Sequence, residues 1–384
     1  MPKQESDLKA RLKQRRKIPF AKGYRPPSQK EKLAAIGFKG NVLPLEYADV
    51  ESGNKFFLPV PEPKSIDDWL AQYAEEGQSF REFLEESPWF SKRKSKFMKQ
   101  AFRANGNTLC EKYPEGKIYI AKIGDFSDDD ISFDSLIDYV QRFLCVPVEV
   151  FKELAIEKRN NDLLFVTKPA SSSSGRTEAR IRKSCLRTRF NAKSKHIQIE
   201  VDSILAKIRS IIPRDALCVI GLTPYDLYGD DSDLFVAGMA AGNRRVAVFS
   251  LMRYNPALTF SQEHWYDIKE SKMVSPAEKQ RLILQRSCKL VVHEICHLLG
   301  LDHCVYFCCC MNGSGHLQED FDQPMMLCPV DLHKLQKLIG FNVIERYQSL
   351  LQFFKSHDFT EEAEWTERRL KFLQSKKSGN SSTE

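Results

Sequence analysis

The sequence predicts an α+β fold, an α/β-like mixed sheet with helices packed against it. Three observations carry that expectation. Short apolar runs with strand patterning recur at residues 117–123, 146–154, 196–201, 216–223, 234–238 and 246–250. Helical spacing separates some of them, as at Leu136, Ile137, Val140 and Leu144. A long apolar, helix-compatible pattern over 282–299 follows the last of these strands.

Size and charge set outer bounds. A chain of 384 residues that is 42% hydrophobic can bury one sizeable core or two modest ones. No apolar run reaches the roughly 18–20 residues of a membrane span. The formal net charge of +7 is mild for this length. The aromatics are not interleaved with the basic runs, which argues against a nucleic-acid partner.

Residues 1–40 are expected to be a basic, disordered arm centred on Lys13, Gln14, Arg15, Arg16 and Lys17. The arm lacks the apolar stretch of a secretory signal. An intracellular setting, cytoplasmic or nuclear, is therefore expected rather than secretion. The folded domain is expected over 41–356, with a C-terminal helix and disordered tail over 357–384. Ser65 is the expected N-cap of a short helix, with Asp68 at the capping-box position. A second helix is expected over 79–86. Strand 117–123, helix 133–144 and strand 146–154 follow. The serine run at 171–175 reads as a loop, and the basic stretch of 176–195 as a strand edge or a solvent face. Strand 196–201 leads into helix 202–211. Strands 216–223, 234–238 and 246–250 precede the long helix. Two further helices are expected near 342–356 and 360–373, and a polar, disordered end over 375–384.

The chemistry lies in one stretch. His293-Glu294-Ile295-Cys296-His297-Leu298-Leu299-Gly300-Leu301-Asp302-His303 reads H-E-x-x-H-x-x-G-x-x-H. On a helix, His293 and His297 stack on one face, one turn apart. Two such imidazoles can share a zinc ion at about 2.0–2.1 Å. Gly300 suits a left-handed turn that ends the helix and brings His303 back as a third ligand. Three protein ligands leave one position open for water, the mark of a catalytic site. Glu294 can reach that water without binding the metal. The pattern therefore points to peptide-bond hydrolysis through a zinc-bound water, with Glu294 as general base. A chance match at five fixed positions has odds of roughly one in ten thousand. The alternative is a zinc-stabilised, non-catalytic interaction or binding scaffold. A purely structural site has no use for the Glu294 carboxylate.

Seven of the eleven cysteines fall between Cys288 and Cys328. Clustered thiols without a secretory signal suggest metal binding rather than a disulfide framework. Taken singly, Cys110, Cys145, Cys185, Cys218 and Cys288 read as small buried apolar residues, and Cys296 as a packing residue.

The pattern of His303-Cys304, then Cys309-Cys310-Met311, then Cys328-Pro329 resembles the archaemetzincin branch of the metzincin metallopeptidases. The similarity runs from about residue 65 to 347 and is strongest after 216. It implies a metzincin-type zinc peptidase domain with an active-site helix, a Met-turn at Met311 and C-terminal helices. It also implies two zinc ions. One is catalytic, on His293, His297 and His303. The second is structural, with Cys304, Cys309 and Cys328 among its ligands. The fourth thiolate of that second site should stand at 331, where this chain has Asp331. Asp331, His333, Cys308 or Cys310 could supply the fourth ligand. Peptides or small proteins are the implied substrates, with aminopeptidase-like trimming as one mode. In the implied layout an edge strand before the zinc helix pairs with substrate. Residues 246–252 are the expected strand.

Overall fold

Strand and helix patterning alternate through the middle of the chain, and the structure follows that alternation. The computed structural model describes residues 18–39, 43–48, 56–90, 106–126, 131–151, 154–159, 162–167, 182–192, 196–260, 268–271 and 274–380. Helices α1 (Gln29–Ile36), α2 (Trp69–Gln72), α3 (Phe80–Glu86) and α4 (Leu109–Lys112) precede strand β1 (Lys117–Lys122). Helix α5 (Phe133–Leu144) and strand β2 (Val148–Phe151) come next. Then follow β3 (Leu154–Arg159), β4 (Asp162–Thr167), β5 (Arg182–Cys185), β6 (Thr188–Asn191), β7 (His196–Glu200) and helix α6 (Val201–Ile211). Strands β8 (Ala216–Thr223), β9 (Asp226–Tyr228), β10 (Gly238–Ala241), β11 (Val246–Ser250), β12 (Leu258–Phe260) and β13 (Ile268–Ser271) lead to the long helix α7 (Pro276–Leu298). Helices α8 (Leu317–Asp322), α9 (Pro329–Ile339), α10 (Val343–Ser356) and α11 (Thr360–Asn380) follow it.

The central sheet has the order β10-β11-β8-β1-β2. Strands β11, β8, β1 and β2 are parallel, and the edge strand β10 is antiparallel to β11. The sheet is mixed, as expected. Its faces follow the two-residue period of a strand. Ile118, Ile120, Cys218, Ile220, Leu222, Ala247 and Phe249 join a core with Leu136 and Val140 of α5 and Val291 and Ile295 of α7. Ala121, Val219, Val246 and Val248 join a second core with Ile204, Leu205 and Ile208 of α6. Both faces are covered, which is why β8 and β11 read as continuous apolar runs. Each fully buried aliphatic side chain contributes roughly 1.5–3 kcal/mol. The layering thus seats α7 firmly against the sheet.

Several boundaries differ from expectation. Residues 246–252 do not form an edge: β11 pairs with β8 on one side and β10 on the other, and it is buried throughout. The edge on that side of the sheet is β10, whose small residues Gly238, Ala240 and Ala241 carry little strand signal. The run expected over 146–154 splits into β2 of the central sheet and the start of β3, which pairs with β4 instead. The first short helix starts at Trp69 with Asp68 as N-cap, because the Ser65 hydroxyl is engaged one turn earlier by the Asp67 N–H. The 79–86 helix does carry a capping box, between Ser79 and Glu82.

The arm expected to be disordered over 1–40 holds structure from residue 18 onward. Helix α1 has a Ser28–Glu31 capping box and packs against α9. Lys13–Lys17 lie outside the described residues, as does the serine run at 171–175. The basic stretch after that run supplies β5 and β6. Helix α11 continues to Asn380, beyond the expected end at 373. Among the described residues, no helix is long and apolar enough to cross a membrane.

Candidate metal centre

Helix α7 begins with the Ser275 hydroxyl accepting the Glu278 N–H at 3.2 Å, and Pro276 occupies its first turn. It ends in a Schellman motif. The Leu301 N–H donates to Cys296 O at 3.0 Å and the Gly300 N–H to His297 O at 2.9 Å. Gly300 has φ +94°, a conformation that glycine adopts without a Cβ clash. The chain therefore turns back at Gly300, and His303 returns to face the helix.

The three histidines come together, their ligand atoms within 4.8 Å of one another. Each is aimed through its Nδ1. His293 Nδ1–H donates to Cys310 O at 2.7 Å and His297 Nδ1–H to Leu301 O at 2.6 Å. His303 Nδ1–H donates to the Glu75 carboxylate at 2.8 Å. A carbonyl can only accept, so the tautomers of His293 and His297 follow from their partners. Each Nε2 is then left with a lone pair. The Nε2 atoms of His293 and His297 stand 3.0 Å apart. Two facing lone pairs at that distance repel unless a cation lies against them. The donor set therefore fits a metal ion. Burial lowers the His293 pKa to about 4 and also lowers that of His297, so both are neutral and ready to ligate near neutral pH.

Glu294 follows His293, about 100° around the helix, and is partly exposed. Burial, with the nearby charge of Asp320, pushes its carboxyl up to about 8. Met311 is fully buried, and its carbonyl accepts the Cys304 N–H at 2.7 Å. The turn's direct link to the site is the Cys310 carbonyl on His293. Asn312 ties the loop together, its Nδ2 donating to Cys304 O at 2.7 Å and Phe307 O at 2.8 Å.

A second group gathers Cys304, Cys309, Cys328 and Asp331, all buried. Cys304 Sγ lies 3.5 Å from Cys328 Sγ, well beyond a disulfide bond. Asp331 Oδ2 lies 3.3 Å from Cys309 Sγ and 3.4 Å from Cys328 Sγ. Its other oxygen accepts from Lys334 Nζ at 2.9 Å, and neither side chain of that pair is exposed. Of the four residues considered for the fourth position, Asp331 is the one whose ligand atom groups with all three thiols, whereas the Cys310 thiol meets Cys309. His333 stacks on Phe80 and Phe38 and donates to Ile36 O at 2.7 Å. Cys308 is partly exposed and lines a cavity of about 420 Å³ that Glu75 also borders. Cys310 serves the first site through its carbonyl.

Asp68, His316 and Glu319 also cluster. Here His316 Nδ1 accepts the Glu319 N–H at 3.2 Å, so its Nε2 carries the proton donated to Asp68 at 2.9 Å. Both ring nitrogens are used, and the group is a clamp between the N-cap of α2 at Asp68 and α8. Among the singly read cysteines, Cys218, Cys288 and Cys296 are buried as expected. Cys110, Cys145 and Cys185 are exposed instead. They sit at a short helix, a helix end and a strand end, where no apolar neighbour pattern bore on the expectation.

Sequence reasoning missed Glu75, Gln78 and Lys334. Glu75 lies among Tyr73-Ala74-Glu75-Glu76-Gly77, which carries no motif. Lys334 left a faint trace as a lysine one turn after Asp331 on an apolar helix face.

The class is zinc metallopeptidase: the sequence model of Peptidase family M54 matches residues 268–337. The chain is 29% identical over 349 residues to Archaemetzincin-2 of Mus musculus, covering 85% of this chain and 86% of that protein. It is 38% identical over 176 residues to Archaemetzincin-2 of Homo sapiens, where the match spans 43% of this chain and 49% of the relative. Against Archaemetzincin-1 of Homo sapiens it is 33% identical over 175 residues, spanning 42% of this chain and 35% of the relative. A solved archaemetzincin from Archaeoglobus fulgidus, complexed with malonate, is 24% identical, with a TM-score of 0.34. That match covers 57% of this chain and 99% of the solved one. The chain is thus similar to the archaemetzincins over most of its length, and the family match falls on the segment that carries the three histidines.

Proposed function

We propose that this chain hydrolyses peptide bonds in peptides or small proteins, with His293, His297 and His303 holding a catalytic zinc and Glu294 as general base. The observation that carries this is the convergence of three imidazole Nε2 atoms, each fixed through its Nδ1, with Glu294 next to His293 on the same helix. A bound zinc supplies an acidified water and a polarised scissile carbonyl. Glu294 takes a proton from the attacking water and returns it to the leaving amine. Its raised pKa suits a group that both accepts and returns a proton near neutral pH. Met311 packs in the turn after the third ligand, the place of the metzincin Met-turn, as a soft floor that does not ligate.

Cys304, Cys309, Cys328 and Asp331 hold a second, structural zinc in this proposal. Three thiolates and one carboxylate match the charge of four thiolates, and carboxylate oxygen is an ordinary zinc ligand. Thiols built for metal support an intracellular setting, cytoplasmic or nuclear.

The test is cleavage of a mixed peptide library, with free and with acetylated amino termini. Glu294→Ala should keep its zinc and lose roughly 10²–10⁴-fold in rate. Preference for free amino termini supports the aminopeptidase-like mode, and equal cleavage refutes it. Undiminished cleavage by Glu294→Ala refutes the mechanism.

A further inference from the structure

The third histidine is held differently from the first two. His293 and His297 sit on a helix, and main-chain carbonyls fix their rings. His303 sits on the loop beyond Gly300, and its Nδ1 partner is a carboxylate 228 residues away in sequence. That carboxylate belongs to a segment preceding the central sheet, and the segment grips the loop at several points. Gln78 Nε2 donates to Gly300 O at 3.2 Å and to Asp302 Oδ2 at 3.1 Å, and its Oε1 accepts the Asp302 N–H at 3.3 Å. The Trp69 ring meets His303 edge-on, 5.1 Å between centroids. Gly77, at φ +73°, packs so closely that a Cβ there would collide with the Val305 side chain. The grip therefore runs along the loop from Gly300 to Val305.

A carboxylate on the far nitrogen of a ligating histidine fixes the ring's tautomer and direction and makes it a stronger donor. A histidine on a loop, with no helical backbone to set its direction, gains more from this than a helical one. We propose that Glu75 is the positioning residue of His303, and that residues 69–78 thereby form part of the metal centre. The carboxylate aims Nε2 at the His293–His297 pair and strengthens the third bond to the metal. This rests on the catalytic-zinc proposal above.

The test uses the full chain and the variants Glu75→Gln and Glu75→Ala. Zinc affinity is measured by competition with a chromophoric chelator, and the cobalt-substituted proteins are compared by absorption. Glu75→Ala should weaken the imidazole-bound metal 10–100-fold. Its cobalt ligand-field bands should shift, while the thiolate charge-transfer band of the cysteine site stays as in the wild type and reports an intact fold. Glu75→Gln keeps an oxygen that accepts from Nδ1–H, so it should recover part of the loss. Wild-type affinity and spectra in both variants would overturn the proposal for Glu75 alone. A wild-type chain with no metal at its imidazoles overturns the catalytic-zinc proposal beneath it. Should Glu75→Ala lose the thiolate band as well, the isosteric Glu75→Gln decides: it supports the proposal if only its imidazole site weakens and overturns it if that site is unchanged.

Discussion

At the scale of single residues, Asp331 and Lys334 form the most consequential pair outside the imidazoles. Both are fully buried, with an ion pair of 2.9 Å between them. Removing Asp331 leaves the buried Lys334 ammonium without its counter-charge. Asp331→Asn is expected to destabilise the chelator-treated protein by about 3–5 kcal/mol, measured by urea unfolding. Asp331→Asn combined with Lys334→Met removes both charges and should recover most of that loss. A single variant as stable as its parent would contradict a buried, coupled pair. The residue scale also shows the limits of legibility. His293, Glu294, His297 and His303 were readable because eleven consecutive residues carry the whole spacing. Asp331 was readable as a departure from a pattern. Glu75 was not, because its role depends on a contact across 228 residues and its neighbours carry no motif.

At the scale of elements, the end of α7 governs how the ligands meet. The motif's glycine was legible as a helix terminator, and the structure realises it as a Schellman turn. Gly300→Ala tests that turn cleanly. The nearest heavy atom to an added Cβ is Pro88 Cδ at 3.5 Å, so space is not limiting. The cost is the left-handed backbone itself, about 1–2 kcal/mol. Urea unfolding should show this loss, and zinc affinity should fall with it because His303 hangs from the same turn. An unchanged unfolding midpoint would mean that the turn relaxes without strain. Strands were legible where burial was heavy, as in β8 and β11. The edge strand β10 was misplaced, because glycine and alanine give no apolar alternation to find. Which strand lies at an edge is a matter of pairing order, and apolar patterning alone does not encode it.

At the scale of the whole molecule, three layers hold two candidate metal groups on one frame. The sheet backs α7, which carries His293 and His297. The loop after it carries His303 and then Cys304, so the two groups share consecutive residues. Segment 69–78 closes over that loop from outside the sheet. The mixed sheet and the zinc helix were foreseeable from local patterning, whereas the closure by the early segment was not. Anomalous diffraction at the zinc absorption edge tests this arrangement most directly. Two peaks per chain are expected. One should lie about 2.0–2.1 Å from the Nε2 atoms of His293, His297 and His303, and the other about 2.3 Å from the Sγ atoms of Cys304, Cys309 and Cys328. A zinc-loaded crystal with no peak among the three imidazoles, or with Glu294 as a direct ligand, would contradict the catalytic centre.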